Sequence, residues 1–285
     1  MKKKQQSKNS SPGKLGPYWT WLIPTIAFLL KLITIINIPG HIWPGSDAES
    51  YLEAVNGLVT NGFFSDNGKL QYFPAGYPVI IWFLSKISLT NTLLLLGFFQ
   101  SLVYAFASWF FIIKMNFGKF VSLAPWLAFL ISFNPTLALT SLAIGYESLA
   151  ASLLMISLAL LLDEKKENLF LKLLMFSSLS GLVAFVQPRY LATSIIVIIL
   201  WALRNYGFKN SIKYVSLVLI AIMVSPIVLG LRNKEATGHF FVSNNLGVTM
   251  NVGAGPNSTG GYTNKATGVN CPSNVKTDNQ KVICI

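Results

Sequence analysis

Asp47, Glu147, Arg189 and Arg232 are the residues whose types and placement could do chemistry in this chain. A carboxylate at hydrogen-bond distance can take the proton from an attacking hydroxyl. A guanidinium matches phosphate oxygens with a two-pronged fork. Together they would suit the movement of a group from a phosphate-linked carrier. The richest stretch runs from Gly45 to Ile81 and holds four of the ten carboxylates: Asp47, Glu49, Glu53 and Asp66. It then turns apolar and aromatic around Pro74 and Pro78. An acidic amphipathic loop, held at a membrane surface by aromatic residues, fits an enzyme that acts on a lipid-borne substrate.

Each candidate also has a plainer reading. Ser46 followed by Glu49 forms a capping box, which would make Asp47 a first-turn acid favoured by the helix dipole. Glu147 follows Gly145-Tyr146 at the start of an apolar helix, where the dipole alone would stabilise it. Arg189 lies in Gln187-Pro188-Arg189-Tyr190 between two apolar runs, and Arg232 comes directly after another. Both read either as interfacial anchors or as a phosphate contact. Lys31 interrupts the first apolar run, and snorkelling to the outer surface is favoured there over a buried phosphate contact.

Other chemistry finds little support. His41 and His239 are far apart and lack acidic or cysteine partners at ligand spacing, so there is no closed zinc site. Neither a P-loop nor a dinucleotide fingerprint occurs. The pattern calls for no cofactor and leaves a divalent metal open. Asn257-Ser258-Thr259 matches a glycosylation acceptor, which matters only in a secretory setting. Cys271 and Cys284 can pair only if that end lies outside the cytoplasm.

The elements that must position these residues are membrane helices. Of 285 residues, 53% are hydrophobic and 11% charged, with mean hydropathy +0.55. Soluble domains carry roughly 25% charged residues, so the expected class is an all-α, polytopic integral membrane protein. The net charge of +12 does not indicate nucleic-acid binding. Lys2, Lys3, Lys4, Lys8 and Lys14 sit in a polar tail, and most other cations flank apolar runs, which is a topological bias. Seven spans are expected: Tyr18 to Ile38, Thr92 to Ile113, Val121 to Ile144, Glu147 to Leu162, Leu169 to Val186, Tyr190 to Leu203 and Ile212 to Leu231. Asn134-Pro135 breaks or shortens the third, and Gln187-Pro188 separates the fifth from the sixth. The run from Phe73 to Ile87 is short and reads as a re-entrant or surface helix.

With the N-terminus inside, short inner loops hold Lys114 and Lys119, then Lys165 and Lys166, then Arg204, Lys209 and Lys213. Asp47, Glu49, Glu53, Asp66, Glu147, Gln187, Arg189, Arg232 and Asn244 then share the outer side. The domain plan is a cytoplasmic basic tail over 1–17, a membrane domain over 18–231 that includes an outer loop at 39–90, and an outer Gly/Asn-rich segment over 232–285. That last segment reads as the start of a truncated region.

Three segments in this order resemble one family. Asp47, then Tyr51-Leu52, then Phe73-Pro74-Ala75-Gly76-Tyr77-Pro78 resemble the first outer loop of the GT-C membrane glycosyltransferases, in the bacterial protein-mannosyltransferase and aminoarabinose-transferase-like branch. Asn134-Pro135 followed by Glu147 resembles that family's next acidic position. Leu231-Arg232-Asn233, Gly238 to Gly247 and Gly253 to Tyr262 resemble a run after a late helix. The similarity covers most of residues 18 to 262. Departures are Ala48 where some members have a second acid, the cation-free Gln71-Tyr72-Phe73, and Gln187-Pro188-Arg189 in place of Arg-Pro.

The resemblance implies transfer of a sugar from a polyprenyl-phosphate donor, with inversion, on the extracytoplasmic side of a bacterial inner membrane. It implies Asp47 as the base and Glu147 as a second polar contact. Arg189 or Arg232 would neutralise the phosphate, with Glu49, Tyr51, Tyr77 and Asn244 as further substrate contacts. The acceptor is open among protein, lipid and glycan, the partners being the donor and membrane lipid rather than nucleic acid. The rivals are a cell-envelope polysaccharide polymerase or ligase, and a transporter or lipid flippase. A transporter should carry charge near mid-membrane.

Overall fold

The computed structural model describes residues 18–45, 47–115, 122–162 and 169–243. Its elements in chain order are α1 (Trp19–Asn37), α2 (Ala48–Asn61), α3 (Gly68–Tyr72), α4 (Gly76–Ile87), α5 (Thr92–Lys114), α6 (Ala124–Ser132), α7 (Pro135–Thr140), α8 (Glu147–Leu162), α9 (Leu169–Val186) and α10 (Leu191–Thr237). A 3-10 turn, Pro188–Tyr190, precedes α10. Four helical stretches are long and apolar enough to cross a membrane: Trp19–Asn37, Thr92–Lys114, Leu169–Val186 and Pro188–Thr237. Shorter apolar helices cover Gly76–Ile87, Ala124–Thr140 and Glu147–Leu162. Large apolar side chains such as Leu29, Ile33, Phe106, Leu200 and Ile220 face outward. Water would penalise that surface and hydrocarbon would not. The chain is an all-α membrane protein.

The breaks have local causes. Proline at the start of α7 denies the preceding turn a donor, and the Asn134 side chain accepts from Leu137 N at 2.9 Å. The last run bends at Gly207, whose φ of 68° and ψ of 171° are non-helical. Two limbs result, and Ile198 of the first shares a buried cluster with Val218 and Ile222 of the second. Leu173, Phe176 and Ala184 of α9 and Leu161 of α8 complete that cluster. Helix α5 packs on α1, α6 and α8, and α9 lies between α8 and α10.

The loop helices α2, α3 and α4 gather at one end of the bundle. Tyr51 of α2 is wedged between Phe73 and Tyr77, each with ring centroids 4.9 Å away. From the far end of α10, Arg232 holds this loop in place. Its Nε donates to Phe63 O, its Nη2 to Ser65 O and its Nη1 to Asn233 Oδ1, each at 2.7 Å. Asn233 Nδ2 donates to Phe241 O at 2.8 Å, and Ser243 Oγ to Tyr72 O at 2.8 Å.

Two sequence expectations change here. Arg232 is 0% exposed, so it is no snorkelling anchor, and its three nitrogens already serve other partners, two of them carbonyls of the loop and one Asn233 beside it. Lys31 is 6% exposed and its Nζ stands 3.8 Å from the Tyr104 ring centroid, between α1 and α5. Helical side chains lean toward their N-terminus, so Lys31 leans away from the end of α1 where the acidic loop begins. It therefore does not snorkel to that surface. Tyr104 in turn donates its hydroxyl to Ile131 O at the end of α6.

Candidate functional site

Two loops that are distant in sequence are zipped together by one parallel bridge, Trp43 to Ala143. Trp43 N donates to Leu142 O at 2.8 Å, and Ile144 N donates to Trp43 O at 3.0 Å. Asp47 follows Trp43 at the same offset as Glu147 follows Ala143. The parallel register therefore sends both chains the same way and starts a helix at each: α2 just after Asp47, and α8 at Glu147. Close approach requires Gly45, since a β-carbon there would clash with Ile144 O.

Helices α4 and α5 brace this zip. Tyr77 Oη accepts from Gly145 N and donates to Gln100 Oε1, both at 2.8 Å. Gln100 Nε2 donates to Ala143 O at 3.0 Å and reaches Ser141 O at 3.3 Å. An amide inside an apolar helix needs such partners, and these fix the second loop against the first. Tyr77 is fully buried with its hydroxyl committed to the frame.

Tyr51 is influenced by both acids. Its phenol is pushed well above the usual tyrosine range, first by burial and then by Tyr146, Glu147, Asp47 and Tyr77. Both carboxylates thus lie within electrostatic reach of one hydroxyl. Asp47 occupies the N-cap position of α2 but makes no capping bond with its side chain. Ser46, the other half of the expected capping box, lies outside the described residues. The carboxylate of Asp47 is exposed, and that of Glu147 is half-buried and folds back over Gly145.

A cation stands on the other flank. Arg189 donates from Nη2 to Tyr146 Oη, and its guanidinium lies 5.2 Å from the Tyr146 ring and 5.3 Å from the Tyr190 ring. Burial raises the Tyr146 phenol, while a Gln187 hydrogen bond and the Arg189 charge oppose that rise. Arg189 is exposed.

Glu49 and Glu53 point elsewhere. They border an open cleft of about 460 Å³, whose apolar wall includes Ile42, Leu52, Leu93 and Ile144. Glu53 pairs with Lys69 at 3.3 Å. Asp66 accepts from Gln71 Nε2 at 2.5 Å, on the side held by Arg232. Asn244 lies outside the described residues. Among the described residues no three His, Cys, Asp or Glu side chains gather as a metal site.

Sequence reasoning missed Trp43, Gln100 and Tyr146. Gln100 had a signal, since a lone amide in an apolar helix is costly without a role. The arrangement as a whole offers two carboxylates, a neutral phenol and a guanidinium on one surface of an all-α membrane protein. Comparison with protein-family models, curated proteins and solved structures returned no match.

Proposed function

We propose that this chain is a membrane glycosyltransferase that moves a sugar from a polyprenyl-phosphate donor to a hydroxyl of a protein, lipid or glycan acceptor. The acids would face the extracytoplasmic side, with Ala124–Thr140, Glu147–Leu162 and both limbs of α10 counted into seven crossings and Gly76–Ile87 left as a re-entrant or surface helix. Asp47 takes the acceptor's proton as its oxygen bonds to the anomeric carbon. The bond from that carbon to the donor phosphate breaks, and Arg189 offsets the charge on the departing phosphate. Attack opposite the leaving phosphate inverts the centre. The observation that carries this reading is the matched offset of Asp47 and Glu147 from the Trp43–Ala143 bridge, with Tyr51 within electrostatic reach of both. Of the two arginines, Arg189 is the one open to a ligand. A polysaccharide polymerase or ligase would use the same chemistry on a glycan acceptor.

A transporter or flippase is the second reading, and Lys31, buried between helices, is the observation in its favour. Asp47→Asn separates the two. Asparagine caps a helix as well as aspartate, so folding should persist. Transfer from a lipid-phosphate sugar should fall on the order of 100-fold or more. Undiminished transfer would remove Asp47 from the chemistry.

A further inference from the structure

We propose that the open cleft beside α2 seats the ammonium head of a membrane amphiphile. The apolar body of that molecule lies against Ile42, Leu52, Leu93 and Ile144. This binding site is separate from the sugar-transfer chemistry and does not depend on it.

The cleft measures about 460 Å³, within the roughly 300–1,000 Å³ of small-molecule sites. Its rim and its walls differ in kind. Glu49 and Glu53 stand one turn apart on α2, and both border the opening. Like charges at that spacing repel and weaken a helix. Lys69 pairs with Glu53 at 3.3 Å and donates to Ser50 Oγ at 3.4 Å. Glu49 is left without an ion pair among the described residues. No lysine or arginine borders the cleft among those residues. In a chain of net charge +12 this rim is a local excess of negative charge, and its complement is a cation.

The walls decide what carries that charge. A bare metal ion gains nothing from four aliphatic side chains, whereas a hydrocarbon gains with each methylene laid on them. A phosphate head would face two carboxylates, and Lys69 is already taken. An ammonium donates hydrogen bonds, and ionised carboxylates only accept them. The position of the cleft favours delivery from the bilayer. Gly40 lies just past the end of α1 and Leu93 just inside the start of α5, and both helices are long and apolar enough to cross a membrane. The cleft therefore opens at the level where two crossing helices end on the same side. Exposed Ile36 and Trp43 flank it with apolar surface. An amphiphile at that level presents its head to the acids and its methylenes to the walls.

The test uses the full chain in phosphatidylcholine nanodiscs, with binding to empty discs subtracted. The probes share one tail and differ in the head: decylamine, decanol and decyl phosphate. The parent should hold decylamine about fivefold tighter than decanol, with decyl phosphate the weakest. Glu49→Gln should remove most of that preference and leave decanol binding as it was. Leu52→Gln should weaken decylamine and decanol alike. Both positions are exposed, and melting curves check that each variant folds. Equal binding of amine and alcohol by the parent would overturn the proposal. So would a preference that survives both Glu49→Gln and Glu53→Gln, or decylamine binding untouched by Leu52→Gln. If acetyl-lysine amide binds as tightly as decylamine, the cleft reads a peptide cation with no apolar body, and the amphiphile is ruled out.

Discussion

Replacing Gly45 with alanine tests whether the Trp43–Ala143 bridge sets the register of the two acids. A β-carbon at Gly45 would press on the backbone oxygen of Ile144, far inside the 3.0 Å limit of real contacts. That oxygen belongs to the zip itself and cannot rotate away as a side chain could. The loops would have to part by about 1 Å to reach ordinary contact, and displacements of that size lower turnover by around 100-fold where groups must be aligned. The parting also strains two backbone hydrogen bonds, Trp43 N to Leu142 O and Ile144 N to Trp43 O. Each is worth roughly 0.5–1.5 kcal/mol, so stability should drop by about 1–3 kcal/mol. The assay pairs transfer from a short-chain polyprenyl-phosphate sugar with thermal melting in the same detergent. Turnover should fall further than the modest loss in stability would explain, since the helices behind the loop remain packed. Parental turnover at parental stability would show that the bridge does not align the acids.

Two further outcomes follow from the buried cations. Arg232→Gln should destabilise the protein by about 3 kcal/mol or more, because it strands the carbonyls of Phe63 and Ser65. Arg232→Lys should rescue little of that loss, since an ammonium cannot reproduce the fork, and chemical denaturation of both variants measures it. Lys31→Met should melt at or above the parent temperature, because it removes a buried ammonium with no hydrogen-bond partner among the described residues and keeps an unbranched chain of similar reach. A fall of several degrees would mean that the contact with the Tyr104 ring outweighs the cost of burying the ammonium.

The sequence and the fold agree most closely where the cause is local. Apolar length marks α1, α5 and α9, and proline chemistry marks the α6–α7 break at Asn134-Pro135 and the turn at Pro188. Glu147 opens α8, as its position after Gly145-Tyr146 indicates. What could not be read is which face a residue presents. Lys31 and Arg232 both flank or interrupt apolar runs, and nothing local says that one turns toward Tyr104 and the other into the first loop. Tyr77 carries part of the family resemblance, yet its hydroxyl serves the frame, through a partner in α5 that no motif contains. The pairing of Trp43 with Ala143 is non-local, and a single bridge leaves no alternating pattern along either strand.

The distance along the chain between those bridge partners also sets a timetable. Trp43 leaves the ribosome about a hundred residues ahead of Ala143. At about 5–20 residues per second, the first loop spends roughly 5–20 s without the neighbour that fixes its register. During that interval α2 and α4 can already grip Tyr51, since Phe73 and Tyr77 are close in sequence. Asp47 meanwhile waits without its companion acid. Glu147 reaches its place only when the turn before α8 meets Gln100 and Tyr77, so a nascent chain carries the aromatic platform before it carries both acids.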